Sequence, residues 1–213
     1  MQPGQITTLK PATHNDKRIN VFLDGKFAFS LDLAQITDFK LKVGQILSEP
    51  EITKLKKASN FGKLYQRTLE WVLTKPRSVK ETKDYLTRKK FQKPEYGITD
   101  EDITAVLTRL TAKNYLNDVN FTTYYIENRQ QTKGISLKKL RLELIKKGIS
   151  PSLIDQSLKQ ATRDDTTEIT KIIIKKRRQA KYQDDTKLIQ YLVRQGFDYE
   201  LAKNSVLETD SQN

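Results

Sequence analysis

Three stretches of this chain repeat one pattern. "LTRKKFQ" (86–92), "LIKKGISPSLID" (144–155) and "LVRQGFDYELAK" (192–203) each open on a leucine and pass through basic residues. Each places an apolar residue five positions on: Phe91, Ile149 and Phe197. The leucines are 58 and 48 residues apart. Self-similarity at such a period constrains the fold strongly, because each unit must bury its apolar face against its neighbours. In the last two copies Gly148 or Gly196 directly precedes the apolar residue, where a left-handed residue closes a helix. The pattern reads as a helix–turn–helix corner. The leucine packs inward, the basic residues meet the negative end of the helix dipole, and the apolar residue plugs the turn. The first copy has Lys90 at the glycine position, so its corner is expected to differ.

Helix start and stop signals surround each corner. "FGKLYQRTLEWVLTK" stops before Pro76, which disfavours α geometry at Lys75. Ser78 with Glu81 three residues on makes a capping box for "SVKETKDYLTRKK". Thr99 opens "TDEDITAVLTRLTAKN" with acids in the first turn and Asn114 at the end. The pattern restarts with Asn117 or Asp118 before "VNFTTYYIENRQQTK", which Gly134 ends. Ser136 then opens "SLKKLRLELIKK", and Ser150-Pro151 opens "PSLIDQSLKQ". A third set follows: "TTEITKIIIKKRRQAKY", "DDTKLIQYLVRQ" and "DYELAKNSVLE".

The first 60 residues differ. "RINVFLDGKFAFSL" sets Asp24-Gly25 between two apolar runs, a strong signal for a two-residue hairpin with positive φ at both turn positions. "QITTLKP" offers a third strand, with the polar loop "ATHNDK" between. "LDLAQITDF" and "EPEITKLKKASNF" read as short helices around "KVGQILS", the second capped by Ser48 with Glu51. The expected fold is therefore mainly α. Three tandem three-helix repeats, 61–116, 117–164 and 165–213 with a frayed tail, form an elongated curved array. A head of β-hairpin plus short helices, residues 1–60, precedes them.

Apolar residues make up 36% and charged residues 31%, which suits a thin core spread along repeats. The net charge is +13, and residues 133–181 hold 14 Lys/Arg against 5 Asp/Glu. That field favours a polyanionic partner. The chain has no cysteine and one histidine, His14, in a polar loop. No phosphate-cradling or dinucleotide glycine motif is present. The acid pairs Asp164-Asp165 and Asp184-Asp185 stand where helices begin, as caps rather than metal ligands. Catalytic residues, metal ligands and cofactors are therefore not expected. With no apolar run near the ~18 residues of a membrane span and no signal-peptide core, the expected location is the cytoplasm.

In "TKIIIKKRRQAKY", Ile169, Ile172, Ile173 and Ala180 share one helical stripe, and the cations Lys171, Lys175, Lys176, Arg177 and Arg178 occupy the others. Lys138, Lys139, Arg141, Lys146 and Lys147 add a second cluster. These ten residues are the candidate contacts to DNA or an acidic partner. Opposite charges are scarce in this stretch, so the cations are expected to be largely uncompensated. A helix–turn–helix corner can read DNA, but tight glycine turns are also how helical hairpins pack.

With the repeats in view, the sequence resembles the RecX regulatory protein family. "YQRTLEWVLTKPRSVKETKDYL" is similar to the family's first-repeat signature through Arg67, Leu69, Trp71, Pro76-Arg77-Ser78, Glu81 and Leu86. Tyr115, Leu116, Asn117, Asp118 and Phe121 resemble the junction into the second repeat. Lys133, Gly134, Leu140, Glu143, Leu144, Gly148 and Ile149 resemble the second signature, and Leu192, Gly196, Phe197 and Tyr199 the third. Lys90 and Val72 depart from the pattern. The resemblance implies a non-enzymatic regulator of the RecA recombinase in DNA repair, recombination and the SOS response. It would lodge in the groove of the RecA filament on single-stranded DNA and mostly inhibit the ATPase, strand-exchange and co-protease activities. Such a protein is expected to be a monomer. The alternative is a stand-alone DNA-binding module acting through its basic helical face. A membrane-surface role is disfavoured, because the basic helix lacks a long apolar moment.

Overall fold

The computed structural model describes residues 3–13, 15–132, 134–161 and 164–210. His14 and Lys133 lie outside the described residues. The chain divides into two compact units, residues 1–74 with 86–112, and residues 75–85 with 113–213.

The first unit opens with a four-stranded antiparallel sheet of order β3-β2-β1-β4. Its strands are β1 (Gly4–Ala12), β2 (Asn15–Leu23), β3 (Lys26–Asp32) and the two-residue β4 (Ile46–Leu47). The hairpin forms at Asp24-Gly25 with φ +48° and +78°, and "QITTLKP" pairs as β1. The short strand β4 was not foreseen. It forms inside "KVGQILS" because Gly44, at φ +88°, turns the chain back so that Ile46 and Leu47 pair with Gln5 and Gly4. Ile6, Val21, Phe29, Leu31 and Leu47 bury one sheet face against Ile52 and Leu55.

Helix α1 (Leu33–Asp38) is capped by Asp32, whose carboxylate accepts from the Gln35 N–H at 2.7 Å. Helix α2 runs unbroken from Glu49 to Leu73, starting where Glu51 accepts from the Ser48 N–H at 2.7 Å. The sequence reading had divided it after residue 60. Asn60-Phe61-Gly62 is a weak helical stretch on propensity alone, but tertiary packing overrides it. Gly62 lets the Gln35 amide and the Arg18 guanidinium come close: a Cβ there would stand 3.1–3.3 Å from both. The first half of α2 buries Ile52, Leu55 and Ser59 beneath the sheet, and the second buries Thr68 and Val72. Helix α3 (Val79–Gln92), a 3-10 turn at Pro94–Tyr96 and helix α4 (Asp100–Ala112) follow. Thr99 caps α4, accepting from the Asp102 N–H at 3.1 Å, and Asn114 past its end adopts φ +58°.

Two further helical triplets make up most of the second unit. They are α5 (Asp118–Thr132), α6 (Leu137–Lys146) and α7 (Pro151–Gln160), then α8 (Asp165–Arg177), α9 (Asp185–Arg194) and α10 (Tyr199–Asp210). Each triplet has its own core. One gathers Phe121, Ile126, Leu140, Leu144, Ile149 and Ile154; the other Ile169, Ile173, Leu188, Leu192, Phe197, Ala202 and Val206. Asn117, rather than Asp118, caps α5, accepting from the Val119 and Asn120 N–H groups at 2.9 and 3.1 Å. Helix α8 stops at Arg177, short of the expected end at Tyr182. A 3-10 turn (Ala180–Tyr182) follows, so Ala180 is exposed and leaves the isoleucine stripe.

The corner plug holds in two copies of three. Ile149 and Phe197 are each 3% exposed, whereas Phe91 is 75% exposed. Helix α3 continues through Lys90 to Gln92, with no left-handed residue to swing Phe91 inward.

Candidate interaction surface

The glycine corners are joints between triplets. Where α6 ends, the Lys147 carbonyl accepts from the Ser78 hydroxyl at 2.7 Å, at the start of α3. The Val79 N–H, one of the donors left open at that helix start, donates to Asp118 at 2.9 Å. The Lys147 ammonium closes on Glu81. The same joint recurs one triplet on. The Gln195 carbonyl, where α9 ends, accepts from the Ser136 N–H at 3.2 Å, and the Leu137 N–H donates to Asp165 at 2.7 Å. The Lys139 ammonium bonds the Arg194 carbonyl at 3.0 Å and the Gln195 side-chain oxygen at 3.1 Å. In both joints a donor-rich helix start meets an acceptor-rich helix end, so opposite dipole ends touch.

Glycine is required at both corners. Gly148 and Gly196 have φ +84° and +91°. A Cβ at Gly148 would lie 2.5 Å from the Lys80 Cβ, and one at Gly196 would lie 2.5 Å from the Ser136 hydroxyl.

The joints and cores engage six of the ten candidate cations. Lys139 and Lys147 hold the joints. Arg141 makes two hydrogen bonds to Asp155 across α6 and α7, which raise its pKa and hold Asp155 below the usual carboxylate range. Lys171 lies 3.2 Å from the buried Glu168. Arg177 donates to the Tyr182 and Gln183 carbonyls at 2.9 and 3.0 Å and pairs with Asp185 at 2.5 Å. The Lys176 ammonium stands 5.1 Å from the Tyr182 ring centre and 4.6 Å from that of Tyr191, a cation–π clasp over two tilted rings. The charge surplus is therefore partly offset by Glu81, Asp155, Glu168 and Asp185. Glu81 is 66 residues from its cation, a partner that local sequence does not reveal.

Lys138, Lys146, Lys175 and Arg178 are exposed, and their side chains form no hydrogen bond or ion pair among the described residues. Arg194 joins them. It occupies the corner position of Lys146, 48 residues on, and its side chain is equally exposed. Aligning the repeats would have found it; reading charge runs did not. Among the described residues no cluster of three metal-ligating side chains occurs, and no helix is long and apolar enough to cross a membrane.

Comparison with known proteins decides the family. Residues 4–48 match the regulatory protein RecX N-terminal domain, and residues 117–158 match the RecX second three-helix domain. The regulatory protein RecX of Bacillus licheniformis is 30% identical over 213 residues, 98% of this chain and 78% of the relative. The chain belongs to the RecX family of regulatory proteins. The RecX of Listeria welshimeri is 29% identical over 98% of this chain and 77% of its own length. A crystal structure of a regulatory protein RecX superposes with TM-score 0.69 at 23% identity, covering 93% of this chain and 96% of its own. The RecX of Lactobacillus salivarius gives TM-score 0.55 at 21% identity over 72% of this chain and 98% of its own. The second-domain match spans α5, α6 and most of α7, which includes the corner at Gly148.

Proposed function

We propose that this chain is a non-catalytic, cytoplasmic regulator of the RecA recombinase. It binds, as a monomer, in the groove of the RecA filament on single-stranded DNA and mostly inhibits the ATPase, strand-exchange and co-protease activities. Membership of the RecX family supports the recombinase as partner. The observation that carries the surface is the set of exposed cations on the interlocked triplets, Lys138, Lys146, Lys175 and Arg178. The joints hold α6 to the start of α3 and to the end of α9, so these cations stand on a braced scaffold. A braced scaffold lowers the ordering cost of binding an anionic surface.

The test is titration of the protein into a RecA–single-stranded-DNA ATPase assay, with filament length followed in parallel. Hydrolysis should fall and filaments shorten as the protein saturates. Unchanged hydrolysis and length at saturation rejects the proposal. Tight binding to naked DNA that weakens steeply with salt, without a preference for filaments, would instead favour the stand-alone DNA-binding reading.

A further inference from the structure

A second cationic site lies in the first unit, away from the charge-rich stretch. Arg18 of β2 is 8% exposed and points beneath the sheet. Its guanidinium is held by neutral acceptors, the Ser30 hydroxyl at 3.0 Å and the Ser59 carbonyl at 3.4 Å. It reaches the flank of α2 beside Gly62, where a Cβ would stand 3.3 Å from it. Lys63 and Arg67 follow on α2, one turn apart on the same stripe. Arg67 is exposed, with its guanidinium 5.5 Å from the Tyr96 ring centre.

These three cations form no ion pair among the described residues. Asp32 caps α1, and Glu70, one turn past Arg67, accepts from the Gln66 amide at 3.0 Å. Burial lowers the pKa of Arg18, outweighing Asp32, which stands directly across from it on β3 and favours its charge. Burial, Arg18 and Arg67 together pull the Lys63 ammonium below its usual range. A fold that holds like charges together with no carboxylate bonded to any of them spends stability that a bound anion returns.

We infer that Lys63 and Arg67, backed by buried Arg18 and braced by Tyr96, form a binding site for a phosphate group. Lys63 supplies a point charge and Arg67 a planar fork, a pairing suited to two oxygens of one phosphate. The inference does not rest on recombinase regulation, so the two fail separately.

Thermal unfolding of the full chain with and without inorganic pyrophosphate tests it. Pyrophosphate should raise the Tm of the wild type and of a K175Q/R178Q control by several degrees, and should leave the Tm of K63Q/R67Q unmoved. The ligand-free Tm of K63Q/R67Q should not fall below wild type, because a repulsion has been removed. As a check that needs no variant, the Lys63 Cε resonance is titrated against pH in the wild type. Pyrophosphate should raise the apparent pKa of Lys63. A dT15 oligonucleotide then separates the sources of the phosphate. If a strand backbone supplies it, K63Q/R67Q should flatten the log Kd–log salt slope by about 0.7. An unchanged slope beside a lost pyrophosphate response assigns the site to a free phosphate compound. An equal response of wild type and K63Q/R67Q to both anions, or an unmoved Lys63 pKa, overturns the site.

Discussion

Gly148 does two things that no other residue does as well. It holds φ +84°, and it leaves room for the Lys80 Cβ, which is fixed to its own backbone and has no rotamer by which to withdraw. Gly97 separates the two effects, since it holds φ +58° with nothing within 4 Å of where a Cβ would stand. Replacing Gly97 by alanine should cost only the left-handed penalty, about 1 kcal/mol. Gly148→Ala should cost at least about 2 kcal/mol, since a clash adds to the same penalty. Urea unfolding of the two variants checks the ranking, and equal losses would show that the joint is loose. The sequence marked Gly148 and Gly196 as turn residues, because the αL requirement is local. It could not reveal that each glycine also faces a helix of the preceding triplet, because the neighbour of Gly148 is 68 residues away at Lys80 and that of Gly196 is 60 away at Ser136. Phe91 shows the converse: it matches the repeat in sequence, yet without a glycine before it the backbone keeps it on the surface.

Caps and periodicity made most helices legible, with Ser78, Thr99, Ser136, Ser150 and Asp164 each starting the element expected of it. The continuity of α2 and the strand β4 were not legible, because each depends on a contact far along the chain. Between elements, the Arg141–Asp155 pair ties α6 to α7 and has a pH signature. The hydrogen bonds from Arg141 hold the folded-state pKa of Asp155 below its unfolded value. A depressed carboxylate contributes stability that is complete above the unfolded pKa, about 3.9, and is lost as pH falls through the folded value. The Tm difference between wild type and Asp155→Asn should therefore be constant from neutral pH down to about pH 5 and close below about pH 4. Both partners are exposed enough for solvent to screen them, so the difference itself should be small. A gap that persists at pH 2.5 would assign the effect of the substitution to packing instead.

Across the molecule, the two joints follow one rule, and the start of α9 carries a different cap. Where Ser78 and Ser136 stand ready to donate to an incoming carbonyl, α9 begins at Asp184, whose carboxylate accepts from the Lys187 N–H at 3.1 Å. The next position, Asp185, is taken by Arg177. A carboxylate cannot donate as the Ser78 hydroxyl does, so that hydrogen bond has no counterpart in the Asp184 side chain. The same bookkeeping sorts the cations. Residues that hold a joint or clasp a ring support the fold, and their loss should weaken binding only by loosening the scaffold. Residues that hold nothing are available to a partner. Reversing Lys138, Lys146, Lys175 and Arg178 to glutamate should leave the circular dichroism melt within about 2 °C of wild type. It should also weaken binding to RecA–DNA filaments at least tenfold, about 1.4 kcal/mol. Substituting Lys139 and Arg177 by methionine should do the reverse, lowering the Tm by several degrees while the folded fraction binds nearly as wild type. If the quadruple reversal binds filaments as tightly as wild type, these four cations are solvated surface and the partner docks elsewhere on the chain.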